Sequence, residues 1–205
     1  MLVVAPHPDD EILGVGGLLA TQCALGGDVS VVAVTDGEHA YPDDPQSSNL
    51  GTLRAAEQTA ALARVGVPSG RITRLCLPDS DVSAHIDELI SSLSLLASAG
   101  THILAPWRGD FHPDHEACGI AAEELARKTG AKLTSYFFWT WHHATPDLLA
   151  DLPLRAFSLS PQTLQAKTEA LLCHHSQLQR AQGEPILPEL LLSPARRAFE
   201  VFLVP

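Results

Sequence analysis

Two short segments of the sequence each place histidine and acidic side chains around a proline. His7-Pro8-Asp9-Asp10-Glu11 has four ionisable groups in five positions, and His112-Pro113-Asp114-His115 has three in four. Carboxylates crowded in this way repel one another and are costly to remove from water. A divalent cation offsets that repulsion and uses the same side chains as ligands. The spacing therefore indicates a metal site built from both segments.

A single segment of this kind would also suit a purely structural role. Aspartate is favoured at helix N-termini by capping and by the helix dipole, so the first segment alone would fit a solvated helix start. Two such segments, each after an apolar strand, favour the metal. Zinc is commonly held by imidazole nitrogens and carboxylate oxygens, with a position left for water in catalytic sites. One histidine and one carboxylate from the first segment and one histidine from the second make a plausible set.

Short apolar segments alternate with longer amphipathic ones along most of the chain. The pattern predicts strands at 2–5, 29–34, 72–77, 102–105 and 133–139, and helices at 11–24, 52–65, 82–99 and 114–128, the last capped by Asp114. Beyond residue 141 it predicts a strand at 155–159, a Ser160-capped helix at 162–179, an irregular stretch at 183–194 and a strand at 199–204. The alternation predicts one α/β domain over residues 1–205, with a mostly parallel sheet and helices on both faces.

Ligands of open α/β sheets bind beyond the carboxyl ends of the strands. The predicted strands run into polar residues there: His7, Asp9, Asp10, Asp36, Glu38, Asp79, Asp81, Asp110, His112, Asp114 and His115. We therefore expect one polar edge that carries the site. The Gly14–Gly17 segment lacks the third glycine of a dinucleotide fingerprint, because Leu19 stands there. Its small residues are expected to let the first helix pack closely on the sheet.

Composition excludes several classes of partner. The chain has 13 basic and 24 acidic residues, a net charge of −11, which argues against nucleic acid and against an anionic membrane surface. It has no apolar run long enough for a membrane span and no signal-peptide start. The cysteines are widely spaced, which predicts buried free thiols and fits a reducing cytoplasm.

The sequence resembles a known enzyme family. The stretches APHPDDEILGVGG, VTDGE, LRAAEQTAALARVGV, LPDSD and PWRGDFHPDHEA are similar, in that order, to the LmbE/PIG-L family, and a weaker likeness continues through KTEALLCHHSQL and FEVFL. Members are zinc-dependent N-deacetylases with a Rossmann-like fold. They remove N-acetyl groups from amino sugars and their conjugates, so the resemblance implies such a substrate here.

The resemblance also implies roles for single residues. His7, Asp10 and His115 would hold one zinc ion per chain. Asp9 would be the base that takes a proton from zinc-activated water, and His112 would polarise the substrate carbonyl. A protonated His112 is expected to donate to the oxyanion. The leaving amine would receive its proton from Asp9 or from His112, and the sequence leaves both open.

Further residues have both a functional and a structural interpretation. Arg54 and Asp79 match family positions that contact substrate hydroxyls, but they also suit a surface helix and a turn. Glu11 would orient the first loop or be a first-turn helix charge, and Asp114 would be a carboxylate partner of His112. Asp36 would line the pocket or belong to a turn, and Asp110 would cap its loop.

Aromatic residues near the strand ends raise a similar choice. Stacking on a sugar and burial in the core are both open for Trp107, Trp139 and Trp141. His142 and His143 are expected in solvent. Phe111 stands where many relatives carry a small residue, so it is expected to narrow the site.

The sequence thus predicts a cytoplasmic, zinc-dependent hydrolase that removes an N-acetyl group from a small amino-sugar conjugate. It has no expected nucleic-acid partner or membrane span, and analogy with relatives suggests a homo-oligomer. Two alternatives stay open: a metal-dependent hydrolase of another small amide or ester, and a non-catalytic metal- or sugar-binding module. The presence of Asp9 argues against the binding module, because a protein that only binds a metal or a sugar needs no additional catalytic base.

Overall fold

A computed structural model describes residues 1–41, 48–180 and 183–204, and these contain one mixed sheet. Its strands are β1 (Leu2–Ala5), β2 (Ser30–Ala33), β3 (Ile72–Arg74), β4 (His102–Pro106), β5 (Lys132–Tyr136), β6 (Leu154–Ser158) and β7 (Phe199–Leu203). They lie in the order β3-β2-β1-β4-β5-β7-β6. The first five pair in parallel, whereas β7 lies antiparallel between β5 and β6. The predicted α/β class is confirmed.

Helices connect these strands and cover both faces of the sheet. They are α1 (Asp10–Ala24), α2 (Leu50–Arg64), α3 (Ile86–Ser94), α4 (Pro113–Thr129), α5 (Thr140–His143), α6 (Pro146–Ala150), α7 (Pro161–Leu171), α8 (His175–Leu178) and α9 (Glu189–Leu192). Alternate residues of β1 and β2 enter two separate apolar clusters, one packed by α1, α2 and α7 and the other by α3 and α4. Residues 42–47, between β2 and α2, lie outside the described residues.

Three predicted helices differ from those in the structure. The helix expected at 82–99 starts as a 3-10 turn at Val82–His85 and ends at Ser94, where serine hydroxyls bond to carbonyls of the preceding turn. The helix expected at 162–179 is divided into α7 and α8, because His174 leaves the helical conformation. The N-cap of α4 is His112 instead of Asp114, since Pro113 takes the first helical position.

The glycines of α1 allow the close packing that the sequence predicted. A Cβ atom on Gly14 would overlap the ring of Tyr136 in β5, and one on Gly17 would overlap Leu159. Tyr136 is fully buried, and its hydroxyl donates to the Val4 carbonyl of β1 at 2.8 Å. The start of α1 is therefore fixed against the centre of the sheet.

A buried ion pair attaches the C-terminal part of the fold to α1. Lys167 of α7 lies 2.7 Å from Glu200 of β7, and its Nζ also donates to the Leu13 carbonyl at 3.0 Å. The Glu200 oxygens accept the N–H groups of Gly17 and Leu18 at 2.7 and 2.9 Å. Leu13 C=O and Gly17 N–H are partners in a regular α-helix. The ion pair therefore joins α7 and β7 to one turn of α1.

Two further expectations concern the whole chain. The thiols of Cys23, Cys76, Cys118 and Cys173 are free. Cys118 is buried as predicted, whereas Cys23 and Cys173 are partly buried and Cys76 is exposed, contrary to the prediction. None of the helices in the described part of the chain has the length and apolar character needed to cross a bilayer.

Candidate metal centre and active site

Two loops at the carboxyl ends of β1 and β4 bring three possible ligands together. One oxygen of Asp10, Oδ2, lies 3.2 Å from His7 Nδ1 and 3.2 Å from His115 Nε2. One ligand atom from each residue lies within 4.8 Å of the others. His115 and Asp10 are buried, and the side chain of His7 is 12% exposed. These are the three predicted ligands, and their binding of a metal stays a prediction.

The donor set suits a divalent cation. His115 Nε2 is completely buried and has no hydrogen-bond partner among the described residues, although it faces Asp10. An imidazole nitrogen in this position can be satisfied by a metal ion. Two imidazoles and one carboxylate form a ligand set that zinc commonly uses in catalytic sites. The residues therefore fit the group that the sequence implies.

Neighbouring carboxylates orient both histidine rings. Asp110 accepts from His115 Nδ1 at 2.9 Å and also from the backbone N–H groups of Phe138, Trp139 and Thr140. The sequence predicts it only as a loop cap, although its position at the carboxyl end of β4 is a signal for a role in the site. A carboxylate on the second ring nitrogen fixes the tautomer of a ligating histidine. Asp110 therefore directs His115 Nε2 toward Asp10.

The other ring, His7, has two such neighbours. Its Nε2 lies 3.1 Å from Asp114 and 3.3 Å from Asp79. Asp114 also accepts the backbone N–H groups of Ser80 and Val82. The Asp114 carboxylate thus bonds to His7 and to the loop after β3, and its predicted pairing with His112 stays a prediction.

Charges in the cluster shift the pKa values of its members. Burial alone would raise the pKa of Asp10, but His115 and His7 hold it well below its usual range. Burial would lower the pKa of His115, yet Asp10 and Asp110 raise it to about 9. The pKa of His7 is raised too, because bonds to Asp10, Asp114 and Asp79 outweigh its burial. Without metal, protons on the two imidazoles thus supply the positive charge that the carboxylates require.

Asp9 lies beside this cluster in a strained backbone conformation. Its φ is 145°, which side-chain-bearing residues rarely adopt, and only 4% of the residue is exposed. Burial and the charge of Asp10 raise the pKa of its carboxyl group, against the opposing effect of Arg54. The Arg54 guanidinium is 3.8 Å away. Asp9 is therefore a carboxyl group that holds a proton more readily than usual.

Glu11 contacts the backbone of this loop. One of its oxygens accepts from Gln58 Nε2 at 3.0 Å and from the Asp9 N–H at 3.4 Å. Burial raises the pKa of Glu11 to about 7. The carboxyl group is thus placed to orient the loop, and it is not a solvated charge on the first turn of α1.

His112 lies beside both predicted ligand histidines and forms a second candidate donor set with His7 and Asp114, whose ligand atoms lie within 4.8 Å of one another. Its ring centroid lies 4.9 Å from that of His7 and 5.0 Å from that of His115. Burial and the charges of His115 and His7 lower its pKa to about 4. Nδ1 accepts the Asp114 N–H at 3.3 Å, so a neutral ring carries its proton on Nε2. The expectation of a protonated His112 is not supported, because the neutral ring is favoured.

Arg54 and Asp79 are buried in the site. The Arg54 guanidinium donates to Gly37 O at 2.7 Å and to Gln177 at 2.8 Å, which excludes the surface-charge interpretation. Asp79 accepts the His39 N–H at 2.9 Å. Asp36 lies elsewhere, in an ion pair with Arg74 at 2.7 Å.

A cleft of about 130 Å³ opens onto these residues. Its apolar lining comes from Ala40, Phe138, Trp139, Ile186 and Leu187, and its polar lining includes all seven ionisable residues Asp9, His7, Asp10, Arg54, Asp79, His112 and His115. The cleft therefore offers an amide-sized space between charged groups and an apolar wall.

The aromatic expectations have mixed outcomes. Trp139 lines the cleft and stacks on His112 at 5.8 Å, whereas Trp107 and Trp141 pack on Phe137. His143 is exposed as predicted, but His142 is half-buried against Phe138 and Trp139, contrary to the prediction.

Phe111 does not narrow the cleft in the described structure. It is 44% exposed, its ring leans on His143, and it is absent from the residues that line the cleft. The φ of Phe111 is 61°, in the left-handed region that glycine adopts without strain, so a small residue suits this position.

Comparison with protein families matches residues 2–126 to the PIG-L family, described as GlcNAc-PI de-N-acetylase. The matched stretch covers more than half of the 205 residues. It includes both histidine-bearing segments and ends within α4.

Curated relatives include a 1D-myo-inositol 2-acetamido-2-deoxy-alpha-D-glucopyranoside deacetylase of Mycobacteroides abscessus. It is 31% identical over an alignment of 169 positions, and the match covers 68% of this chain and 59% of the relative. The chain spans less than two thirds of the length of the first such relatives, from 28% to 60%.

Solved structures share the fold. The conserved protein TT1542 of Thermus thermophilus is 26% identical, with a TM-score of 0.71 and coverage of 100% of this chain and 93% of that one. The N,N'-diacetylchitobiose deacetylase of Pyrococcus horikoshii is 22% identical, with a TM-score of 0.69 and coverage of 87% and 70%.

Proposed function

From the premise that the chain belongs to the PIG-L family, we propose that it is a zinc-dependent hydrolase that removes an N-acetyl group from an amino-sugar conjugate. The observation that carries the proposal is the position of Asp9, a buried carboxyl group beside a three-residue donor set and open to the cleft. The curated relatives, named as deacetylases of an acetamido-sugar inositol, support the substrate class. Four free thiols agree with a reducing cytoplasm.

His7, Asp10 and His115 would hold the metal ion. When bound there, zinc supplies a Lewis acid that lowers the pKa of water to about 7 and polarises a carbonyl oxygen. Asp110 and Asp114 hold the two imidazoles in the orientation that ligation requires. The protein thus arranges its ligands before the metal arrives.

Asp9 would accept the proton of the attacking water at its carboxylate. Burial raises its pKa, which supports a carboxyl group that holds that proton and gives it to the amine nitrogen as the amide C–N bond breaks. Neutral His112 donates from Nε2 to the oxyanion and has no spare proton to transfer. Of the two proton donors left open by the sequence, Asp9 is therefore favoured, because the lowered pKa of His112 keeps that ring neutral.

The proposed reaction is tested by acetate release. The zinc-loaded protein is incubated with N-acetylglucosamine, its inositol conjugate, N,N'-diacetylchitobiose, an N-acetyl amino acid and an O-acetyl sugar ester. We expect acetate and a free amine from at least one acetamido sugar. Hydrolysis of only the amino acid or the ester would replace the proposal by the other hydrolase, and binding without acetate release would favour a binding module.

Removal of the His112 ring should slow turnover. His112→Ala deletes one donor to the oxyanion, and loss of such a donor costs about 10²–10³ in kcat. His112→Gln keeps an N–H donor and should retain more activity than alanine does. Because the pKa of His112 is lowered to about 4, the ring stays neutral above that pH and is protonated only as the pH falls through it.

The wild-type pH–rate profile should therefore lack an alkaline limb due to His112. The profiles of the wild type and His112→Gln are compared from pH 5 to 10. An alkaline limb that is present in the wild type and absent from His112→Gln would contradict the neutral ring.

A further inference from the structure

The backbone at Asp9 needs an external support. Its φ of 145° and ψ of −29° lie in a region that persists only where surrounding groups hold it. The Asp9 carbonyl accepts from Ile12 and Leu13 at 2.9 and 2.8 Å, which fixes the peptide after the residue. In the peptide before it, between Pro8 and Asp9, the N–H group donates to Glu11 at 3.4 Å, and the carbonyl group is held by a separate anchor.

Gln177 supplies that anchor from a distant part of the chain. Its Nε2 donates to the Pro8 carbonyl at 2.5 Å, and its Oε1 accepts from Arg54 at 2.8 Å. The side chain is fully buried in α8, in the KTEALLCHHSQL stretch that carries the weaker family likeness and outside residues 2–126 of the family match. Arg54 itself reaches the same Pro8 carbonyl at 3.4 Å and lies 3.8 Å from Asp9.

A carboxamide is the side-chain chemistry that satisfies all the partners of Gln177. A guanidinium only donates and a backbone carbonyl only accepts, so the bridging group must do both. The buried His174 presents Nδ1 to Gln177 Nε2 at 3.0 Å and accepts its second N–H. The orientation of the amide is therefore determined: oxygen toward Arg54, nitrogen toward Pro8 and His174.

We propose that Gln177 is a positioning residue for the proposed reaction. It holds the Pro8–Asp9 peptide and the Arg54 guanidinium in one arrangement, so that the Asp9 carboxylate faces the cleft beside the ligands. The expected effect on turnover rests on the proposed function. The structural role, in which Gln177 holds the Pro8–Asp9 peptide and Arg54, does not.

The test compares three variants with the wild type. Gln177→Met keeps the length of the side chain and removes its three hydrogen bonds, to Pro8, Arg54 and His174. Gln177→Glu can still accept from Arg54 but cannot donate to Pro8. Ser176→Ala is the matched control. The Ser176 hydroxyl group donates to Glu57 at 2.6 Å and thereby attaches α8 to α2.

Two readouts separate positioning from folding. On an acetamido sugar that the wild type hydrolyses, Gln177→Met and Gln177→Glu should lower kcat at least tenfold, with KM within threefold and zinc content unchanged. Hydrogen exchange of the amides of residues 9–13 should become at least tenfold faster in metal-free Gln177→Met. Ser176→Ala should stay within twofold of the wild type in both.

The proposal is overturned if Gln177→Met keeps kcat or the rate of amide exchange within twofold of the wild type. It is also overturned if Ser176→Ala changes these quantities as much as Gln177→Met does. If Gln177→Met does not fold, the same limits apply to Gln177→Glu. If the wild type hydrolyses nothing in the panel, the proposed reaction is refuted. The positioning role is then decided by amide exchange alone, because exchange requires no substrate.

Discussion

Asp9→Asn should lower kcat by about 10²–10⁴ while zinc binding is kept, because the change removes a general base and no ligand. Asparagine is similar in shape and tolerates positive φ better than most residues, so the strained loop should persist. The measurements are kcat and KM for acetate release together with zinc content per chain. KM should change little, since the role proposed for Asp9 is to accept the proton of water and not to bind the sugar.

The stability of this variant supplies an internal control. Burial and the charge of Asp10 raise the pKa of Asp9 above its unfolded value, so its ionised form destabilises the metal-free fold as the pH rises through that pKa. Metal-free Asp9→Asn should therefore melt no lower than the wild type at neutral pH. If Asp9→Asn loses zinc while Asp10→Asn keeps it, the two aspartates have exchanged their assigned roles.

Removal of the metal should abolish acetate release, and added zinc should restore it. His115→Ala should bind zinc poorly and stay inactive after zinc is added, because it removes one of three ligands. His143→Ala is the matched control, since that imidazole is exposed and makes ring contacts with Phe111 and Trp139. Anomalous scattering at the zinc edge should place one ion between His7, Asp10 and His115. A peak on other residues would refute the assignment.

The pH dependence of zinc binding follows from the same cluster. In the metal-free protein His115 has a pKa of about 9 and the pKa of His7 is raised as well, so both imidazoles hold protons at neutral pH. Ligands must be deprotonated to bind, which means that zinc uptake releases protons. Calorimetry in buffers of different ionisation enthalpy should show this release, with affinity increasing from pH 6 to pH 9. An affinity independent of pH would contradict the ligand set.

The sequence was sufficient for the polar edge of the site. A histidine and acidic residues directly after an apolar strand must lie at the carboxyl edge of a parallel sheet, whatever the rest of the fold. That rule placed His7 and Asp10 at the same edge as His115, which lies in a distant part of the chain. It was also sufficient for the close contact of α1, because a run of small residues in a helix that follows a buried strand leaves no side-chain bulk to keep the helix away from the sheet.

Other features depend on partners that no local pattern identifies. Asp114 has the sequence position of an N-cap and of a partner of His112, yet its oxygens bond to His7 and to backbone after β3. Gln177 lies in a segment whose pattern predicts one continuous helix, which the buried His174 interrupts. The insertion of β7 between β5 and β6 is equally non-local, since strand order is set by packing over the whole sheet.

The ion pair of Lys167 and Glu200 also constrains how a newly made chain reaches its native state. The N–H groups of Gly17 and Leu18 have no Glu200 carboxylate to donate to until the ribosome has released residue 200. A nascent chain that carries α1, α7 and Lys167 but not yet β7 holds an ammonium group without its counter-ion, which opposes early burial. The packing of α7 and β7 on α1 is therefore completed only by a residue that is synthesised 183 positions after Gly17.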